Sequence, residues 1–281
     1  MPGRVAIVTG ANKGIGLAIV RGLAKVFQGD VYLTARNSER GLAAVQTLMK
    51  EDLVVHFHQL DIDEPKSIQT LRDFMKDKYG GIDVLVNNAA IAFKGNATEP
   101  FGHQAEITLK TNFWALKSTC DILFPILKPG ARVVNMSSSA GFLARMGGSG
   151  AANAALKQTL GDPELKIEKL EELMHDFVAS AKAGNHAEKG WPNSTYSVSK
   201  VGVSALSRIQ QREFNLDSDS DYVVNHVHPG YVDTDMTSHK GPLTIDEGAR
   251  SSLFAAMLPA NTEVKGQYIW EDCKILDWVK G

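Results

Sequence analysis

At 281 residues and 43% hydrophobic side chains the chain has enough apolar mass for a full buried core, and one domain over residues 1–281 is the simplest organisation. Thirty Lys and Arg against 32 Asp and Glu leave a formal net charge of −2, so no long-range positive field recruits nucleic acid or an anionic membrane surface. No apolar run approaches the roughly 18–20 residues of a bilayer span, and the opening MPGRVAIVTGANKG is too short in its apolar part for a signal peptide; a cytoplasmic setting is expected, with Cys120 and Cys273 as reduced thiols.

Short β-branched or apolar runs alternate with helical patterns along the chain. In order they are Val5–Thr9 and a helix over 14–27, Val31–Ala35 and 38–50, Val54–Leu60 and 64–78, Val84–Asn87 and 103–128. Val133–Ser137 follows, then after a long interval a helix over 196–214, Val223–Val227, a helix over 246–258 and Gln267–Trp270. This alternation predicts an α/β fold: a doubly wound parallel sheet of about seven strands with helices on both faces. Ligands of such sheets gather at the carboxyl ends of the strands. The segments there are TGANKGIG, TAR, LDID, NNAA, MSSSAG and HPGYVDTDM.

The region of about 141–190 breaks the rhythm and reads as a helical insertion. It holds the glycine-rich GGSGAANAA, then a segment in which Asp162 suits a cap and Pro163 the first helical position. Leu170, Leu173, Met174, Phe177 and Ala181 fall at helical spacing before Gly184 ends the run. That apolar stripe must be covered, by the body of the domain or by another chain.

In VAIVTGANKGIG, Gly10, Gly14 and Gly16 lie between a strand and a helix, where bare backbone can approach a pyrophosphate and the helix N-terminus favours its charge. The spacing is G-x-x-x-G-x-G, and a purely structural turn is the competing explanation. At the end of the second strand, where an acid would bond a ribose and repel a 2′-phosphate, this chain has Arg36. Arg36 can grip a phosphate bidentately and Lys13 adds a second charge, favouring NADP(H) over NAD(H); the alternative is that both are solvated surface cations. Asp61 can accept from an adenine amino group, Asp63 looks like the following helix's cap, and the two could be interchanged. Asn87 to Ala90 supply amides at the end of the fourth strand.

Hydride transfer to a carbonyl carbon leaves negative charge on oxygen, which a proton donor must neutralise. Tyr196 can be that donor, but a tyrosine of ordinary pKa, about 10, needs a nearby cation to exchange its proton near neutrality. Lys200, one turn further along the same helix face, supplies it. A hydroxyl from the SSS run can hold the substrate carbonyl beside the tyrosine: Ser138 is preferred over Ser137 and Ser139. A Tyr–Lys pair alone is commonplace on helices; the convergence of separate segments carries the reading.

TGANKGIG, NNAA, SSS, YSVSK and PGYVDTDM stand in the order found in the short-chain dehydrogenase/reductase family, which this chain resembles over nearly its whole length. The resemblance implies an oxidoreductase in which Tyr196 is the acid or base, Lys200 binds the nicotinamide ribose and lowers the tyrosine pKa, and Ser138 orients the carbonyl. Asn112, in LKTN, matches a fourth catalytic position that helps hold a proton-relay water. Val232 and Thr234 in PGYVDT match carboxamide contacts, and the pro-S hydride is the one such enzymes transfer. Asn12 and Ile15 in the glycine loop, Ile62 beside Asp61, Asn88, and Pro229–Gly230 complete the implied cofactor-binding set.

Within the family the sequence is most similar to the monomeric NADPH-dependent carbonyl reductases, through GDVYLTAR, FHQLDID, NNAAIAFK, KTNFWA and KGWPNSTYSVSK. The 58 positions from Ser138 to Tyr196 match their long segment, and the resemblance implies that the added helix covers the face other members use to oligomerise, leaving a monomer. Departures are Ala90 where the family motif has glycine, and His226 and His228 before Pro229 where these reductases can carry cysteine, so no glutathione preference carries over. Tyr231, in place of a tryptophan, and Met236 are the expected substrate wall. His56 and His58, like His226 and His228, have the period-two spacing that permits metal ligation, but no carboxylate or cysteine clusters with them and no metal is expected. The expected reaction is reduction of aldehydes, ketones or quinones, with ketosteroids or prostaglandins among the candidate substrates; an oxidatively working alcohol or hydroxysteroid dehydrogenase and a non-catalytic NADP(H)-binding sensor are the alternatives.

Overall fold

A computed structural model describes residues 3–217 and 220–281; residues 1–2 and 218–219 of the single domain expected over 1–281 lie outside the described residues. The strands are β1 (Val5–Val8), β2 (Asp30–Ala35), β3 (His56–Gln59), β4 (Ile82–Asn87), β5 (Leu127–Met136), β6 (Val223–Val227), β7 (Tyr268–Ile269) and β8 (Ile275–Leu276). They form one sheet in the order β3-β2-β1-β4-β5-β6-β7-β8, parallel except for β8. The eighth strand was not expected: Ile275–Leu276 is two residues long and is made a strand by the hairpin with β7, a pairing that no periodicity in two residues can signal.

The helices are α1 (Gly14–Val26), α2 (Ser38–Met49), α3 (Pro65–Tyr79), α4 (Phe101–Leu109), α5 (Leu116–Leu123), α6 (Gly150–Gly161), α7 (Ile167–Ala183), α8 (Thr195–Phe214) and α9 (Ile245–Ala256). Strand side chains alternate between the two helical layers. Ala6 and Val8 of β1 join the core beneath α1, α2 and α9, while Val5 and Ile7 join the core shared with α3 and α5. Strands buried on both faces need no polar alternation, which is why VAIV reads as a continuous apolar run.

Four expectations change. The helix expected over 103–128 is interrupted by a π-helical turn at Lys110–Ala115, and the chain turns into β5 already at Leu127. β3 starts at His56, leaving Val54 80% exposed. The glycine-rich stretch after Gly148 is itself helical, as α6, and the next helix begins at Ile167 rather than at Pro163. Asp162 instead accepts the Glu164 N–H at 2.8 Å, so the Asp-Pro pair turns the chain between two helices.

The stripe on α7 is covered from within. Leu170, Met174 and Phe177 are fully buried in a core shared with α4 and α8, Phe177 meets Phe101 edge-on at 6.2 Å, and Gly202 of α8 leaves room for the Met174 sulfur. Asp176 on α7 accepts from Trp191 Nε1 at 3.0 Å, tying the insertion to the segment that leads into α8. Cys120 is buried, with its thiol pushed up to about 12 by burial, and Cys273 is half-buried; both are free. Among the described residues no helix is long and apolar enough to cross a membrane.

Candidate active site

Gly10 and Gly14 adopt φ of +61° and +58°, the left-handed region that glycine enters without strain. A Cβ on Gly16 would fall 2.5 Å from Asn88 Nδ2 and 2.8 Å from Ala11 Cα, so only glycine fits where β1 turns into α1. Asn88 fastens this turn to the end of β4, donating to Thr9 O at 2.9 Å and Gly10 O at 3.1 Å. Ala90, the departure from the glycine of the family motif, has no positive φ and costs nothing there. Asn12 and Ile15 lie half-buried on the same turn.

The other expected cofactor contacts line the same edge. Arg36 is exposed just beyond β2, with no ion-pair partner among the described residues. Lys13 is exposed too, but its Nζ pairs with Asp235 Oδ2 at 2.5 Å. Asp61 accepts the Asp63 N–H at 3.0 Å through Oδ1, and Ile62 beside it is buried. Asp63 does not cap the next helix: it accepts from Thr111 Oγ1 at 3.2 Å, and the N-cap position falls on Glu64 without a side-chain bond. After β6 come Pro229 and Gly230 (φ +86°), then Val232, which is buried and bridged to Leu243. Thr234 Cγ2 lies 3.5 Å from where a Cβ on Gly14 would stand, so this segment reaches the glycine turn.

These segments meet along one edge of the sheet, at the carboxyl ends of its strands. The glycine turn packs so closely on Ala11 and Asn88 that no side chain fits at Gly16, leaving bare backbone at the start of α1, and beyond β2 Arg36 is exposed with no ion-pair partner among the described residues. Both features suit a dinucleotide with a pyrophosphate at a helix N-terminus and a further phosphate beyond β2.

The catalytic candidates converge where β5 ends against α8. Tyr196 lies in the first turn of α8, which Ser194 caps by accepting the Ser197 N–H at 3.2 Å. Burial raises the pKa of its phenol above the ordinary value, and the nearby Ser138 side chain partly offsets that rise. The three serines separate cleanly. Ser137 is buried and bonded to Ser204 Oγ at 2.7 Å, Ser139 gives its N–H to His228 Nδ1 at 2.9 Å, and Ser138, whose Oγ accepts the Ala140 N–H at 3.2 Å, is the one whose side chain influences the Tyr196 phenol.

Lys200 is 2% exposed; burial pushes its ammonium down to about 7, and Nζ donates to Met136 O at 2.6 Å. Nζ lies 5.7 Å from the Tyr196 ring centroid. Asn112 stands in the π-helical turn, the kind of irregularity often found at functional sites. It exchanges two bonds with the Ile91 backbone, at 2.8 and 2.9 Å, and gives its remaining amide proton to Ser199 Oγ at 3.0 Å. Ser199 in turn donates to Tyr196 O at 2.8 Å. Both side-chain N–H groups of Asn112 are thus committed to protein, and its side chain joins the end of β4 to the helix that carries Tyr196.

Sequence reasoning passed over three contributors. Ser199 is a buried serine on an otherwise apolar helix face, a pattern open to detection. Tyr268 donates to Ser138 O at 2.7 Å, and His228, neutral with its pKa pushed down to about 4 by burial, holds the Ser139 N–H while its other nitrogen faces Glu271 Oε2 at 3.1 Å. Both act across the sheet and have no local signal. Tyr231 and Met236, expected as substrate wall, are 51% and 39% exposed on the loop after β6. The histidine pairs make other contacts: His226 is fully buried against Tyr268, with no hydrogen-bond partner for either ring nitrogen among the described residues, and His56 faces Asp30 at 3.4 Å.

The description "short chain dehydrogenase" matches residues 4–162. Carbonyl reductase [NADPH] 1 of Mus musculus is 48% identical over 276 residues, 98% of each chain, and carbonyl reductase [NADPH] 1 of Homo sapiens 47% identical over 269 residues, 95% of this chain and 96% of that one. Among solved structures, salutaridine reductase from Papaver somniferum superposes with a TM-score of 0.83 at 30% identity, covering 96% of this chain and all of that one. Menthone neomenthol reductase from Mentha piperita gives 0.79 at 29% identity over 95% and 98%. Identity of this extent along nearly the full length of both chains places the protein: it belongs to the short-chain dehydrogenase family.

Proposed function

We propose that this protein is an NADPH-dependent carbonyl reductase that converts aldehydes, ketones or quinones to alcohols, acting as a cytoplasmic monomer. The observation that carries the reading is the meeting of Ser138, Tyr196 and buried Lys200 where β5 ends against α8, with Lys200 Nζ 5.7 Å from the Tyr196 ring centroid. The near-half identity to carbonyl reductases [NADPH] 1 and 3 supports the substrate class and the cofactor, and Arg36 supports a 2′-phosphate.

When bound, NADPH supplies the hydride. Ser138 Oγ donates a hydrogen bond to the substrate carbonyl and holds it against Tyr196. Tyr196 passes its proton to the carbonyl oxygen as hydride reaches the carbon, so one hydride and one proton complete the alcohol. The ammonium form of Lys200 stabilises the tyrosinate left behind, offsetting the burial that holds the phenol's pKa up. Asn112 and Ser199 fix the helix start that aims Tyr196. Reduction is favoured over the oxidative alternative because the cleft is built for the phosphorylated cofactor. The burial of the α7 stripe against α4 and α8 in the same chain supports the monomer.

The test is to follow NADPH absorbance with a panel of carbonyl compounds, for the native protein and for Tyr196→Phe. The variant should lose on the order of 10³-fold in kcat while still binding NADPH. Equal rates in the two proteins would refute the mechanism, and native protein that binds NADPH but turns over none of the panel would favour the sensor alternative.

A further inference from the structure

The loop after β6 comes back across the cleft, and one of its acids reaches the glycine turn. Asp235 Oδ2 receives Lys13 Nζ at 2.5 Å, a contact spanning 222 positions of sequence. Its other oxygen lies 3.1 Å from His239 Nε2, whose Nδ1 is 2.6 Å from Asp233. From the far wall of the cleft, Lys94 donates to the Asp235 carbonyl and, at 3.0 Å, to Ser238 Oγ. Ser238 and His239 sit at φ +55° and +58°, where a side chain is strained, so contacts such as these must hold the loop in place. Of the two cations assigned to the 2′-phosphate, Arg36 is unpaired and Lys13 is already committed to a carboxylate.

We propose that Asp235 is a specificity-determining residue, competing with the cofactor's 2′-phosphate for Lys13. The inference rests on the reading that Lys13 and Arg36 serve that phosphate. A lysine ammonium is a point charge on a flexible stem and can exchange one anion for another. NADPH must break the Lys13–Asp235 pair to recruit this cation. NADH, which lacks the phosphate, leaves the pair intact. Because both partners are exposed, at 64% and 60%, the competition is modest, worth about two- to fivefold in affinity. Asp235 thereby weakens NADPH selectively, and arrival of the phosphate releases one of the anchors that pin the loop beside the substrate.

The experiment is fluorescence titration of the full chain with NADPH and with NADH, for the native protein, Asp235→Asn, Lys13→Met and the double variant. Asp235→Asn should tighten NADPH about threefold, with NADH unchanged, and the gain should vanish when Lys13 is methionine. A gain shared by NADH, a gain that survives in the Lys13→Met background, or no gain at all overturns the proposal. Lys13→Met separates the levels: if it leaves the NADPH-to-NADH affinity ratio unchanged, the phosphate reading of Lys13 itself fails, whereas a reduced ratio beside a silent Asp235→Asn refutes the competition alone.

Discussion

The two halves of the cleft are held by different physics. Around Tyr196, side chains are buried and joined by short polar links, Asn112 to Ile91 and Ser199, Lys200 to Met136, Tyr268 to Ser138. At the cofactor rim, Arg36 stands free and Lys13, Asp235 and His239 are exposed charges whose pairs water can replace. A buried network loses the full desolvation cost of each group left unpaired, whereas an exposed pair is individually weak. The proton-transfer half is therefore built for fixed geometry and the rim for exchange of partners.

Disrupting the buried half should have the largest effect. Asn112→Leu strands the Ile91 N–H and C=O and removes the donor to Ser199 Oγ, so denaturant melts should show a loss of about 2–4 kcal/mol. Loosening the start of α8 should also cut kcat about a hundredfold, with the dissociation constant of NADPH little moved. At the rim, Arg36→Asp should raise the Michaelis constant for NADPH some ten- to a hundredfold through lost charge-assisted bonds, leave that for NADH nearly unchanged, and leave the melt within about 0.5 kcal/mol of native. If this variant destabilises the fold as much as Asn112→Leu does, the contrast between the halves is wrong.

A smaller effect should come from pH. Burial lowers Lys200 to about 7, so its cation is present below that value and is lost as pH rises through it. Reduction needs both the protonated phenol and the charged lysine, and both are favoured on the acid side. kcat/KM for the carbonyl should accordingly fall about tenfold between pH 6 and 8. A flat profile would mean that the bound state restores the lysine's charge.

Features set by local chemistry were legible in the sequence. The glycine turn, the Tyr196–Lys200 spacing and β6 at Val223–Val227 read directly, since each depends on residues a few positions apart. What escaped depends on distant partners. Within the helical insertion expected over about 141–190, the glycine-rich stretch gives no sign of where α6 begins, because Asn153 pins its start by donating to Gly147 O and Gly190 O at 2.9 and 2.8 Å. The π-helical turn leaves no mark in LKTNFWA that a regular helix would lack. Lys13 was read by its charge and its neighbours in sequence, and the loop acid that claims it lies more than two hundred residues away.

The covering of α4 and α8 by α7 has a further consequence. On the proposed monomeric reading, in which the segment that delivers Tyr196 is braced by a helix on the same polypeptide through Asp176 and Trp191, completing the site is a first-order event. Dilution to nanomolar levels, tethering to a surface or fusion to another protein at a terminus changes the concentration of the molecule but not the fraction of it that is assembled, so specific activity should be the same in each.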